Sequence, residues 1–167
     1  LWRGTLVMVG QPAEEKGAGA ARMLKDGLFT RFPRPGYAVA LHVMPELPSG
    51  SVGVTPGPAF ASVDSVDLTI HGKGGHGAMP HRTVDPVLIA ARTVVALQAL
   101  VSREKDPFEP AVVSVGAFHA GAKHNVIPPE AKLKLTVRAY KEDVRQRLLA
   151  GIRRVAEGEA AAAGAPK

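Results

Sequence analysis

Two glutamates stand side by side in the stretch LVMVGQPAEEKGAGAARM, residues 6–23. Adjacent carboxylates ahead of a helix are commonly solvated charges favoured by the positive end of the helix dipole. They can also divide a task. One binds a cation, which lowers the pKa of the water it holds, and its neighbour stays free to take that water's proton. A further donor stands at His42, near the end of the apolar run Ala38-Val39-Ala40-Leu41-His42-Val43. Alone, a histidine there reads as a satisfied strand-end residue. Its interest depends on whether topology carries it to the acid pair.

The flanking elements predict that it does. Residues 5–9, Thr-Leu-Val-Met-Val, are apolar without polar alternation, as expected of a strand covered on both faces in a parallel sheet, and residues 38–43 repeat the pattern. Residues 19–26 read as a short helix closed by Gly27. A right-handed crossover joining two parallel strands puts their carboxyl ends on one sheet edge, so Glu14, Glu15 and His42 are expected to share a crevice. The Pro/Gly-rich MPELPSGSVGVTPGPAF that follows suits a hinge.

From residue 63 the pattern changes. Val66, Leu68 and Ile70 alternate with Asp67, Thr69 and His71, predicting a strand with one wet face. Asp85 and Pro86 form a cap and first-turn proline, after which Val87, Ala90, Ala91, Val94, Leu97 and Val101 recur at helical spacing. Residues 111–118 and 132–138 read as two more strands, the second with Leu133, Leu135 and Val137 on one face. Val144, Leu148, Ile152 and Val155 mark a last helix. Strand, helix, strand, strand, helix is a ferredoxin-like split β-α-β sandwich short of its final strand. The expected fold class is therefore α/β: part of a mostly parallel-sheet domain over residues 1–58, then an α+β ferredoxin-like domain over 59–167 with its last strand missing. The start at Leu1, without Met or a signal-like segment, predicts a piece of something longer.

Composition narrows the function classes. The 167 residues are 46% hydrophobic and 22% charged, enough to bury a core. A net charge of +6, spread among acids, permits nucleic-acid binding without indicating it, and 5% aromatics leave little for base stacking. Cysteine is absent, which removes disulfides and thiolate metal sites from these residues. No apolar run in the sequence reads as a membrane span.

In combination and in order, QPAEE, ALHVMP, GKGGHGAMPH, DPV, LQALVSR and NVIP resemble the aminoacylases, hippurate hydrolases and indoleacetyl-amino-acid hydrolases. These are binuclear metallo-amidohydrolases related to the zinc carboxypeptidases, with a lid and dimerisation domain. The resemblance implies that Glu14 is the general base and that Glu15 and His42 are metal ligands. It implies two divalent ions, zinc or manganese or else cobalt, that polarise a scissile amide. It implies that His76 in the lid stabilises the oxyanion, typically in a partner subunit's site, that Asn125 binds substrate, and that Arg138 clamps the substrate carboxylate. A planar guanidinium suits that last task. The connection between Glu15 and His42, with FTRFPRPGY in it, is longer than is usual in that group.

Gly72-Lys73-Gly74-Gly75-His76-Gly77 also spells G-x-G-x-x-G. A dinucleotide site needs those glycines to open directly onto a helix and an acid about 20 residues later. The helix here begins near Asp85 and Leu97 occupies the acid's place, so that reading fails. His71, His81, His119 and His124 receive no role.

The expected function is hydrolysis of N-acyl amino acids of the hippurate type, by a homodimer joined through the lid, in the cytoplasm, with no nucleic-acid or membrane partner. Two protein ligands cannot hold a binuclear centre, so the 167 residues alone are expected to be inactive. The alternative is a non-catalytic ferredoxin-like module that dimerises through strand edges. A basic helix face at Arg145, Arg147, Arg153 and Arg154, offered to nucleic acid, is a weaker third reading.

Overall fold

A computed structural model describes residues 3–166, which divide into two units, Leu1–Gly53 and Val54–Lys167. In the first, a 3-10 turn at Glu14–Lys16 precedes helices α1 (Gly19–Lys25) and α2 (Leu28–Arg31). Gly27, with φ 89°, follows the Asp26 cap of α1, close to the predicted stop, and is also the N-cap of α2, a helix the sequence reading did not predict.

Neither predicted strand of this unit forms. Residues 5–9 and 38–43 lie outside every described strand, with Met8, Val39 and Leu41 almost fully exposed. A doubly covered parallel strand takes its hydrogen bonds from flanking strands and its burial from layers on both faces. The described residues of this unit supply neither, so the apolar pattern has nothing to fold against.

The second unit realises the predicted order. Strands β1 (Ser62–His71), β3 (Ala111–Ala120) and β5 (Glu130–Ala139) form an antiparallel sheet in the order β1-β5-β3. A two-residue pair, β2 (Gly75–His76) with β4 (Val126–Ile127), stands apart from it. Helices α3 (Pro86–Ala99) and α4 (Glu142–Ala162) cover one sheet face. The alternation of β5 decides which: Ala131, Leu133, Leu135, Val137 and Ala139 are buried, and the residues between them are not. Across from them Leu68 pairs with Leu133 and Val66 with Leu135.

Helix α3 starts as its sequence predicted, with the Val87 N–H donating to Asp85 Oδ1 at 2.8 Å and Pro86 in the first turn. Its buried face is Ile89, Ala90, Thr93 and Leu97, rotated from the predicted set, since Val87 lies at the exposed rim and Ala91 is exposed. The helix continues as a π turn over Leu100–Glu104. There Leu100 packs on α4 so tightly that a Cβ on Gly151 would come 2.7 Å from its Cδ2. Contrary to the sequence reading, Pro86–Glu104 is long and apolar enough to cross a bilayer. One face of it, Ile89, Ala90, Leu97 and Leu100, joins the core, while Leu88 and Val95 are exposed.

Strand β3 carries one irregularity. Val115 faces Leu135, but the next pair is Ala117 with Lys134, leaving Gly116 as the extra residue of a β-bulge. Asp64 is the one charged side chain at an inward register position of β1. It pairs with Arg145 of α4 through Nε–Oδ2 at 2.7 Å and Nη2–Oδ1 at 2.6 Å. That bidentate bond holds the Asp64 carboxyl below its ordinary pKa.

Candidate functional site

Ala13, φ 53° and ψ 41°, opens the 3-10 turn that carries the acid pair, and Gly17, φ 60°, closes it with its N–H on the Glu14 carbonyl at 2.7 Å. Among the described residues Ala13 is the only non-glycine with positive φ. A left-handed alanine costs about 1–2 kcal/mol and persists only where its surroundings impose it. Beside it, Gly19 lies so close over the Pro12 carbonyl that a Cβ would stand 1.6 Å from that oxygen. The result is a pinched turn with Glu14 and Glu15 both exposed at its tip. With three residues per turn, successive side chains diverge by about 120°. The two carboxylates therefore address different directions, a geometry suited to two tasks.

His42 is exposed, and its Nδ1 lies 2.8 Å from the Val43 carbonyl oxygen. A carbonyl only accepts, so Nδ1 carries the hydrogen in that bond. The donor types fit a divalent ion of the zinc or manganese kind. Their number does not complete a site: among the described residues no three His, Asp or Glu side chains are grouped so as to hold one.

In the second unit the sheet pair β2–β4 brings His76 and Asn125 together. His76 faces Val126 in register, and the Gly77 N–H donates to the Asn125 carbonyl at 2.8 Å. The glycines of GKGGHG are explained by this approach. A Cβ on Gly74 would stand 2.8 Å from the Ile127 carbonyl oxygen, and one on Gly77 3.1 Å from that of Asn125. They serve backbone contact across β2–β4, and the next long helix begins only at Pro86, so the dinucleotide alternative stays excluded.

A tight turn follows. The Met79 N–H donates to the His76 carbonyl at 2.8 Å, and the Ala78 N–H donates to His76 Nδ1 at 3.1 Å. Sequence reasoning singled out His76 and Asn125 but missed the turn and the short strand pair that join them. The density of glycines around His76 was the available signal.

Arg138 lies elsewhere. It is exposed on the outer face of β5, between Val63 and Val112 on the neighbouring strands. The eight steps along β5 from Glu130 to Arg138 span roughly 27 Å, whereas β4 and Asn125 lie just before the start of β5. Along β5, the His76–Asn125 pair thus lies toward the Glu130 end and Arg138 toward the other. Of Arg145, Arg147, Arg153 and Arg154, the basic face of α4 considered for nucleic acid, Arg145 pairs with Asp64 and Glu142, Arg147 with Asp143 and Arg154 with Glu104.

Comparison with known proteins agrees with this architecture. Residues 61–163 match the family described as peptidase dimerisation domain, M20 type. The chain is 40% identical over 163 residues to the N-acetylcysteine deacetylase of Bacillus subtilis, covering 98% of this chain and 42% of that protein. It is likewise 40% identical to the hippurate hydrolase of Campylobacter jejuni, over 96% of this chain and 42% of that protein. A crystal structure from Bacillus subtilis, described as a dinuclear metal binding peptidase from the M20 family, superposes with a TM-score of 0.66 at 36% identity, over 93% of this chain and 37% of its own. The chain thus spans about two fifths of the length of these relatives. With the matched segment covering β1 through α4, the chain belongs to the M20 peptidase dimerisation-domain family.

Proposed function

We propose that these residues are the acid-pair turn and lid of a metal-dependent amidohydrolase that cleaves the amide bond of N-acyl amino acids. The observation that carries the reading is the strained turn at Ala13, which displays Glu14 and Glu15 in divergent directions at the surface. A turn serving only to connect two segments has no need of a left-handed alanine. The relatives named for deacetylation and for hippurate hydrolysis support the reaction class.

In this reading Glu15 and His42 would hold a divalent ion, zinc, manganese or cobalt, with the remaining ligands coming from outside the 167 residues. The ion, when bound, supplies Lewis acidity toward the amide carbonyl and the attacking water. Glu14, turned away from Glu15, accepts the proton of that water and returns it to the leaving amine. His76 donates to the oxygen on which negative charge develops, with Asn125 beside it. Arg138 offers its fork to the free carboxylate of the amino acid.

A substrate of this size cannot reach both ends of one lid sheet. The separation of Arg138 from the His76–Asn125 pair therefore supports a homodimer in which each active site draws Arg138 from one subunit and His76 from the other. The lid boundary proposed is residue 59, close to the start of the matched segment.

The test uses the longer enzyme and paired substitutions. Glu14→Gln is expected to leave bound metal unchanged and to lower kcat by a factor of about 100 or more, while Glu15→Gln is expected to lower metal content. Identical metal loss from both variants refutes the division of roles. The 167 residues alone, given benzoylglycine with zinc or manganese, are expected to show no turnover.

A second reading, a dimerisation module without chemistry, is favoured by one observation, the absence of a three-donor metal cluster among the described residues. Metal bound by the longer protein and lost on Glu15→Gln would exclude it.

A further inference from the structure

Donation of the Ala78 N–H to His76 Nδ1 has a chemical consequence. A ring nitrogen that accepts from an amide cannot itself carry hydrogen, so the neutral imidazole is held as the Nε2–H tautomer. Three further backbone contacts hold the turn that imposes this. The His76 carbonyl accepts from Met79 at 2.8 Å, Gly77 is bonded to Asn125 at 2.8 Å, and His76 itself is paired with Val126. His42 shows the opposite arrangement, Nδ1 facing a carbonyl oxygen.

We infer that the turn from His76 to Met79 is a tautomer lock, in which the Ala78 backbone amide acts as the positioning group that keeps the Nε2–H of His76 as its one available donor. The inference rests on the reading of His76 as an oxyanion donor for its purpose but not for its existence. An imidazole free to exchange tautomers presents a lone pair at Nε2 part of the time, and a lone pair there repels a developing negative charge. Fixing the hydrogen on Nε2 removes that fraction before substrate arrives, which is preorganisation in the electrostatic sense. Gly77 contributes by letting the turn lie flat on Asn125, so the amide of Asn125 and the imidazole are carried by one bonded backbone pair.

The direct test is long-range proton–nitrogen correlation spectroscopy on the uniformly nitrogen-labelled chain, at a mildly alkaline pH above the ordinary imidazole range. The His76 signals are assigned by their loss in His76→Gln. His76 is expected to show a protonated, pyrrole-type Nε2 and a bare, pyridine-type Nδ1. The exposed His119 and His124 serve as internal references for tautomer averaging. Ala78→Pro removes the donor, and His76 is then expected to shift to the averaged pattern. Should Ala78→Pro fail to fold, hydrogen exchange at the Ala78 amide of the parent sequence replaces it, with slowing relative to the exposed Ala122 amide expected. Averaged His76 signals in the parent chain overturn the inference. So does a His76 pattern unchanged by Ala78→Pro in a folded chain, or an unprotected Ala78 amide.

Activity separates the lock from its purpose. A glutamine amide nitrogen reaches the position of Nε2 and an asparagine amide nitrogen that of Nδ1. In the longer enzyme His76→Gln is therefore expected to retain on the order of tenfold more kcat than His76→Asn, with similar KM, out of the ~100-fold or more that a lost donor costs. Equal kcat loss in the two, with the locked pattern intact, upholds the lock and removes the oxyanion reading.

Discussion

Gly77 lies backbone to backbone on Asn125: its N–H donates to the Asn125 carbonyl at 2.8 Å, and a methyl at position 77 would stand 3.1 Å from that same oxygen. The contact is tighter than an alanine accepts without movement, so Gly77→Ala must displace Asn125 by a few tenths of an ångström. Because Asn125 is exposed and outside the core, folding stability is expected to change little. In the longer enzyme kcat is expected to fall by about tenfold, in keeping with the sensitivity of catalysis to small misplacement. Melting temperature and kcat measured on one preparation check this. A large stability loss with unchanged kcat contradicts it.

Ala13→Gly relieves a left-handed alanine. If the backbone is retained, the steric gain of about 1–2 kcal/mol is partly offset by the greater freedom of glycine in the unfolded chain. The expected outcome is unchanged or slightly raised resistance to unfolding, read by denaturant titration. A clear destabilisation would mean that the turn conformation is not what the unmutated chain adopts.

Asp64 gives the lid an acid-sensitive tie. Its carboxyl is held below the ordinary value of about 4, first by the hydrogen bonds from Arg145 and then by that residue's charge, with burial acting against them. A depressed folded-state pKa contributes stability that is full above the unfolded value and is lost as pH falls through the folded one. Melting temperature is therefore expected to decline on acidification below about pH 4. Asp64→Asn is expected to lower the melting temperature at neutral pH and to reduce that decline. It does not abolish it, since Glu130 and Glu142 are depressed as well. An identical acid profile for the two proteins refutes the assignment.

Leu133, fully buried at the centre of β5, faces Leu68 on one side and Phe118 on the other. Leu133→Ala opens a cavity beneath α3 and α4 and is expected to cost about 3 kcal/mol, measured by urea unfolding of the chain. A cost below about 1 kcal/mol would mean that the site collapses around the smaller side chain.

Legibility followed locality. The alternation of Leu133, Leu135 and Val137 and the cap at Asp85 are decided by neighbours in sequence, and each matches the observed element. The runs at 5–9 and 38–43 carry a pattern whose meaning depends on strands beside them, and without such neighbours they take no strand conformation. At the candidate site, residue types were readable at Glu14, Glu15, His42, His76, Asn125 and Arg138. What was not readable is backbone geometry: the left-handed Ala13, the short pair β2–β4, and the amide that meets His76 Nδ1. None of these leaves a side-chain pattern.

The bulge at Gly116 sets odd against even along β3. Before it, Val113 and Val115 look toward the helices. Beyond it, Phe118 shares Leu133's side and His119 is turned outward with Lys132. Pairing the strand without a bulge while keeping Gly116 would set Gly116 against Lys134 and move every later residue by one, sending the His119 imidazole under the helices and bringing Phe118 into water at the strand's far end. A one-codon deletion of Gly116 would by contrast keep Ala117, Phe118 and His119 facing Lys134, Leu133 and Lys132, so the strand tip would hold its oily and wet sides with one residue fewer.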